Sequence, residues 1–239
     1  MIKCDYVDHM GTDLTIVNAA RVSFDKESDW VENCSCGEPG NPDCKRECDF
    51  TLAEGDTKLI RYLAKHNHWT PFSHTFITMR EIVPIFVARQ RFKHMVGFTY
   101  NEVSRRYVDD TPEFYYPDAW RKRPDASIKQ GSSDEIIKDF NRESFHKGSI
   151  RIHYDDFIDK AVSLYQDMID SGVAPEQARM VLPQSMLTSY YVSGSLAAWA
   201  RAYKLRIDPH SQKEIQELAK QWDEIIAPRF PVAWKELVS

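Results

Sequence analysis

The arginines are the residues of this chain best suited to chemistry. Ser104-Arg105-Arg106 and Arg179, one helix later, place guanidinium forks beside a hydroxyl. That donor set suits a phosphate, because one planar guanidinium gives two parallel hydrogen bonds to an oxyanion. Arg206 closes an expected helix just before a chain break, so its guanidinium can point into a pocket. Between Arg89 and Arg106 the chain carries Arg89, Arg91, Lys93, Arg105 and Arg106 against Glu102 alone, a local +4 in a chain of net charge -5. Such crowding repels itself unless an anion sits there; the competing reading is a solvated helix face or separate surface ion pairs. His68, His74, His94 and His210 add titratable groups, each equally readable as a structural hydrogen-bonder. Neither a glycine-rich phosphate loop nor the H-E-x-x-H or G-x-S-x-G pattern is present. The residues therefore describe a site for a phosphorylated ligand without naming a reaction.

The cysteines form a second cluster. Cys34, Cys36, Cys44 and Cys48 lie within fifteen residues, and Cys4 stands apart. C-x-C-x7-C-x3-C is not a usual zinc-finger spacing, yet four thiolates on a Gly/Pro-rich loop can surround a tetrahedral zinc. Reduced thiols and disulfides are the alternatives, disulfides being disfavoured without a secretory context.

The elements that must position these residues follow from periodicity. A short opening strand turns at Met10-Gly11-Thr12-Asp13 into a helix over Leu14 to Arg21. Residues 26 to 50 form a polar, Cys-bearing insertion of loop composition. Thr51 to Glu54 resembles a capping box opening a helix with Leu59, Ile60 and Leu63, which stops near Asn67. The alternation of Thr75 to Ile82 predicts a strand, and Pro84 suits the first position of a helix reaching Lys93. From Gly97 to Tyr107 the chain is irregular or extended. Residues 108 to 150 are a long excursion with a short helix expected over Asp134 to Phe140. The last third reads as helical: an apolar stripe from Phe157 to Ile169, a helix from Pro175 bent at Pro183, another over Ser195 to Leu205, and a last one capped by Asp208-Pro209. Residues 1 to 239 read as one α+β domain.

Composition narrows the class. Over 239 residues, 42% hydrophobic and 28% charged content is that of a globular protein. The apolar stretch Val83 to Ala88 is too short to cross a bilayer, and the amino terminus lacks a signal-peptide pattern, so neither membrane insertion nor secretion is expected. A net charge of -5 argues against binding nucleic acid through bulk charge.

The run Phe92-Lys-His-Met-Val-Gly-Phe-Thr-Tyr-Asn-Glu-Val-Ser-Arg-Arg-Tyr107 resembles the signature of the flavin-dependent thymidylate synthases of phage and bacterial type. That pattern is Arg-His-Arg, seven residues, then Ser. Further blocks resemble the family in the same order: Ala19-Ala-Arg-Val-Ser23, His68-x-Thr-Pro-Phe72, Pro84 to Gln90, Ala178 to Pro183, and Leu205-Arg206 with His210. The chain departs from the pattern at Lys93-His94-Met95, which replaces Arg-His-Arg, and in one additional residue before Ser104. Ser73 stands where an acidic residue is common.

The resemblance implies mixed helices packed on a mainly antiparallel sheet, and methylation of dUMP to dTMP. Methylenetetrahydrofolate would give the carbon, and FAD reduced by NADPH the hydride. It places dUMP against Gln90, Arg91, Lys93, Glu102, Ser104, Arg105, Arg106, Arg179 and Arg206, with Arg206 the catalytic residue beside the uracil. FAD would meet His68, Thr70, Lys93, His94, Met95, Ser195, Ala197, Arg201 and His210. The cysteines fall outside every matching block, as expected if flavin chemistry replaces covalent activation. A homotetramer with shared active sites is implied, with small-molecule partners, no nucleic acid and no membrane, in a bacterial cytoplasm or that of a phage's host. The alternative is a zinc-stabilised, non-catalytic nucleotide- or RNA-binding protein on the same scaffold.

Overall fold

The computed structural model describes residues 1–33, 49–108, 110–125, 131–139 and 148–239. The four clustered cysteines lie outside them. Among the described residues no group of three His, Cys, Asp or Glu is arranged to hold a metal, and no helix is long and apolar enough to cross a membrane.

Four antiparallel strands carry the fold: β1 (Lys3–Met10), β4 (Phe76–Pro84), β5 (Phe98–Glu102) and β6 (Leu187–Ser195), in the order β1-β4-β6-β5. A separate ribbon pairs β2 (Val31–Asn33) with β3 (Asp49–Thr51) at the base of the insertion. Alternation puts Ile77, Met79, Glu81 and Val83 of β4 on one face, beside Thr188, Tyr190, Val192 and Gly194 of β6. Helices cover that face: α1 (Asp13–Arg21), α2 (Glu54–Lys65), α6 (Leu196–Arg206), α7 (Lys213–Ile226) and α8 (Ala233–Val238). Ile215, Leu218 and Ile226 of α7 are fully buried, each worth about 1.5–3 kcal/mol of transfer free energy. Two short helices, α3 (Ile85–Arg91) and α5 (Pro175–Ala178), and the long α4 (Ile150–Asp170) complete the set.

The register of the central pair positions the site. Phe76 faces Ser195 and Pro84 faces Leu187, so β4 delivers α3 at one end of the sheet and β6 delivers α6 at the other. Nine-residue strands run roughly 30 Å. Helices of seven and eleven residues run about 10 and 16 Å. Growing from opposite ends, they meet at their C-termini, where partial negative charge favours the cations Arg89, Arg91, Lys204 and Arg206 in their last turns.

Several local expectations need correction. The last third is not wholly helical, because β6 is a central strand whose Thr188, Tyr190 and Val192 form its buried face. Thr51 pairs with Val31 as the end of β3 rather than capping α2, whose N-cap is Ala53. Pro84 closes β4, where its missing N–H ends the ladder, and α3 starts one residue later. Residues 134 to 139 form no helix: Ile136 bridges Arg121 and Asp139 bridges Ser149 in an extended crossing. Asp208 accepts the His210 amide at 2.8 Å instead of opening α7, which begins at Lys213.

Candidate active site

Two cavities lie beside α3 and share no lining residue. The first, of about 510 Å³, is lined by Gln90, Arg121, Ser132, Arg206, His210 and Gln212 among others. The second, of about 680 Å³, is lined by Glu102, Ser104, Arg105, Arg106 and Arg179, with Ala88 and Phe92 of α3 and its C-cap as an apolar wall.

In the first cavity Arg206 is half-buried and held from two sides. Its Nε donates to Nε2 of His94 at 2.8 Å, and its Nη2 to the Gln90 carbonyl at 3.2 Å. His94 therefore accepts through Nε2, which puts its own proton on Nδ1. Burial, then the charges of Arg206, Arg91 and Arg201, push the His94 pKa down to about 4, so the neutral ring dominates at pH 7. Burial and Arg91 also lower the Arg206 pKa. Gln90 Nε2 donates to Gln212 Oε1. A positive guanidinium fixed at a half-buried wall can stabilise negative charge on whatever occupies the cavity.

The excursion reaches this cavity, which the sequence reading did not foresee. Arg121 donates to Ser132 Oγ at 2.7 Å and to buried Glu214 at 2.6 Å. Gly131 lies at φ +90°, and a Cβ there would come within 3.0 Å of the His210 carbonyl oxygen. Arg121, Ser132 and Gln212 carry no motif; the one advance signal, for Arg121 and Ser132, is the Gly-Ser turn inside an unusually long loop.

In the second cavity the donors cluster after β5. The Val103 amide donates to the Ser189 carbonyl at 2.9 Å, holding the segment to β6 up to the turn at Ser104. Arg106 Nε donates to Ser104 Oγ at 3.3 Å, and Arg106 stacks on Tyr107 at 5.1 Å. Arg105 pairs with Asp110 at 2.6 Å, and Arg179 donates to the Glu176 carbonyl at 3.3 Å. Glu102 accepts from Thr188 Oγ1 at 2.6 Å. Ser104, Arg105, Arg106, Arg179 and Glu102, scattered over 78 positions of sequence, thus share one cavity.

A third, mainly apolar cavity of about 510 Å³ contains His68, Ser195, Ala197 and Arg201, four of the residues expected at FAD. Thr70 lies with His68 in the adjoining cavity of about 770 Å³. His94 and His210 belong to the Arg206 site instead. Lys93 and Met95 are exposed and line none of these cavities.

Arg91 is a correction. Expected to face the nucleotide, it is fully buried, because it stands two residues from exposed Arg89, on the other side of α3. There its Nε lies 3.2 Å from both carboxylate oxygens of buried Glu81. Cys4 is also buried, its Sγ 3.3 Å from Met79 Sδ, and burial raises the thiol pKa, so it offers no nucleophile.

Residues 5–232 match the family described as "Thymidylate synthase complementing protein", Thy1. The chain belongs to that family. Among Thy1 relatives, the flavin-dependent thymidylate synthase of one Thermus thermophilus strain is 33% identical over 95% of this chain and 72% of its own. That of Thermosipho africanus is 34% identical over 94% of this chain and 86% of its own. The fold is shared with a UMP/dUMP methylase, PolB of Streptomyces cacaoi, solved with 5-Br UMP (TM-score 0.72, 26% identity) and with 5-Br dUMP (0.71, 28%). Those alignments cover 99% of this chain and 93% and 94% of PolB. As a Thy1 protein the chain is an enzyme, a flavin-dependent methyltransferase of the thymidylate synthase kind.

Proposed function

We propose that the chain, one catalytic domain over 1–239, methylates the uracil C5 of dUMP, taking carbon from methylenetetrahydrofolate and hydride from FAD that NADPH reduces. The observation that carries this reading is the division of cations between two cavities: a phosphate-type donor set at one, and at the other the Arg206 guanidinium, oriented by His94 and the Gln90 carbonyl, beside an Arg121 already paired with Glu214. Ser104, Arg106 and Arg179 bind the nucleotide phosphate, with Arg105 joining by exchanging Asp110 for the anion. Arg206 faces the uracil carbonyls and stabilises the charge that builds on the ring as C5 attacks the methylene carbon. Gln90 offers an amide to the ring edge once it leaves Gln212.

The residues fit a flavin. Small side chains at Ser195, Ala197 and Ala198 leave a flat wall, and a Cβ at Gly97 (φ +80°) would strike Ala198 at 2.9 Å, so backbone closes that wall where a side chain would fill it. Arg201 and Lys204 supply cations for a pyrophosphate. Bound there, the flavin supplies the hydride that reduces the transferred carbon.

The two cavities share no lining residue; in this reading a nucleotide held at Ser104 and Arg106 of one copy is completed by Arg206 of another. The same proposal takes the protein as a homotetramer with shared active sites, working in the cytoplasm. The test is tritium release from 5-³H-labelled dUMP in the presence of FAD, NADPH and methylenetetrahydrofolate, beside labelled UMP. Release from dUMP that requires each addition is the expected result. No release from dUMP sinks the proposal, and preferential release from UMP overturns its choice of sugar.

A further inference from the structure

Arg91 and Glu81 form an ion pair that the proposed chemistry does not use, at the centre of the core. Glu81 also accepts from the Trp222 indole at 2.9 Å and from the Tyr190 hydroxyl. The Arg91 guanidinium lies among the rings of Phe98, Trp222 and Trp199, at 4.4, 4.7 and 4.8 Å from their centroids. Its Nη2 is buried without a hydrogen-bond partner, and the guanidinium as a whole sits against these aromatic faces. Gly194 makes room for this cage: a Cβ there would run into the Phe98 ring.

A buried ion pair brings little net stability over well-packed apolar residues of equal volume, since both charges must be desolvated. What this pair holds is more informative. Arg91 Nη1 donates to the Tyr100 hydroxyl at 2.6 Å, and that hydroxyl donates to the His94 carbonyl at 2.7 Å. Burial, the largest influence, pushes the Tyr100 pKa up to about 12, so it remains a donor. His94 in turn accepts from Arg206. Glu81, Arg91, Tyr100, His94 and Arg206 are thus linked from a central strand to the proposed uracil site, by hydrogen bonds except at His94, whose carbonyl meets Tyr100 and whose ring meets Arg206.

We propose that Tyr100 is a positioning residue for Arg206: clamped by the Arg91–Glu81 pair, it fixes the turn that carries His94 and so the ring against which the Arg206 guanidinium is oriented. Tyr100 and Arg91 line neither the Arg206 cavity nor the phosphate cavity. They act through the peptide at His94. This inference rests on the proposed reaction only for its kinetic readout.

Tyr100→Phe removes one hydroxyl and keeps the ring. The expected result is a kcat for dUMP methylation about tenfold lower, as for one lost hydrogen bond in an oriented network, with the apparent KM for dUMP within about twofold. The second readout needs no turnover. In ¹⁵N-histidine-labelled protein His94 is expected as the Nδ1–H tautomer alone, changing to an averaged tautomer mixture in the variant. Arg91→Lys keeps the charge beside Glu81 but lacks the fork arm onto Tyr100, and is expected to reproduce both changes if Tyr100→Phe does not fold. Ile226→Val, a remote core change, should leave both readouts where they are. An unaltered His94 spectrum, or a kcat loss matched by Ile226→Val at equal stability, overturns the proposal. If the unmodified enzyme never turns over dUMP, the reaction assignment fails while the His94 spectrum still decides this one.

Discussion

Arg206 donates through Nε to Nε2 of His94 across 2.8 Å, so the last turn of α6 is tied to the turn that follows α3. A neutral imidazole is the acceptor. Any condition that protonates it replaces an attraction by two cations facing each other.

That relationship makes stability depend on pH. The folded pKa of His94, about 4, lies below its ordinary 6.5. Between the two the unfolded chain binds more protons, so stability rises with pH through this window and is fully present above about 6.5. Arg206, Arg91 and Arg201 are the charges that face the ring. Thermal melts should lose Tm as pH falls from about 6.5 to about 4, and His94→Gln, whose amide oxygen can accept without titrating, should flatten that slope. Parallel slopes for the two proteins would contradict the assignment.

Arg106 and Arg206 should fail differently. Phosphate binding is similar in ground and transition states, so Arg106→Ala should chiefly raise the apparent KM for dUMP. Loss of one transition-state donor lowers kcat by roughly 100- to 1000-fold, which is expected of Arg206→Ala, with Arg206→Lys recovering little. Steady-state kinetics that give both variants the same split between KM and kcat would show the roles to be misassigned.

Those two variants also test assembly. Unfolded together and refolded as a mixture, Arg106→Ala and Arg206→Ala chains should, at dUMP well below the raised KM, regain activity that neither has alone there, since some sites then combine an intact phosphate cavity with an intact Arg206. A mixture no more active than its components means that each chain completes its own site.

Gly97→Ala should harm the flavin wall. A methyl group at φ +80°, 2.9 Å from the Ala198 Cβ, forces either the backbone or α6 to shift. Residues held in such strained conformations cost about 1–3 kcal/mol. A lower Tm together with weaker flavin absorbance on titration with FAD is the expected outcome, and unchanged binding would remove Gly97 from that site.

Much of this arrangement is readable in the sequence where residue type alone decides. Ser104, Arg105, Arg106 and Arg179 do share a cavity, and Arg206 does end a helix at a pocket wall. Arg91 shows where type is insufficient. A charge count over 89 to 106 treats it like its neighbours, while helical phase sends it inward to Glu81, a partner that only the strand–helix geometry reveals. β6 escapes a sequence reading for a related reason: Ser189, Tyr191 and Ser193 on its outer face dilute its hydropathy, although Thr188, Tyr190 and Val192 alternate in phase. The Arg121–Glu214 pair joins residues 93 positions apart, beyond the reach of any local pattern.

The convergence of α3 and α6 has a consequence for which length changes the chain can absorb. One residue added within α6 advances its end by about 1.5 Å and turns it by about 100°. Arg206 would then leave both His94 and the Gln90 carbonyl, with every side chain still present. Deletions and insertions should therefore be purged from 85–91 and 196–206, where helix length itself is the measuring rod.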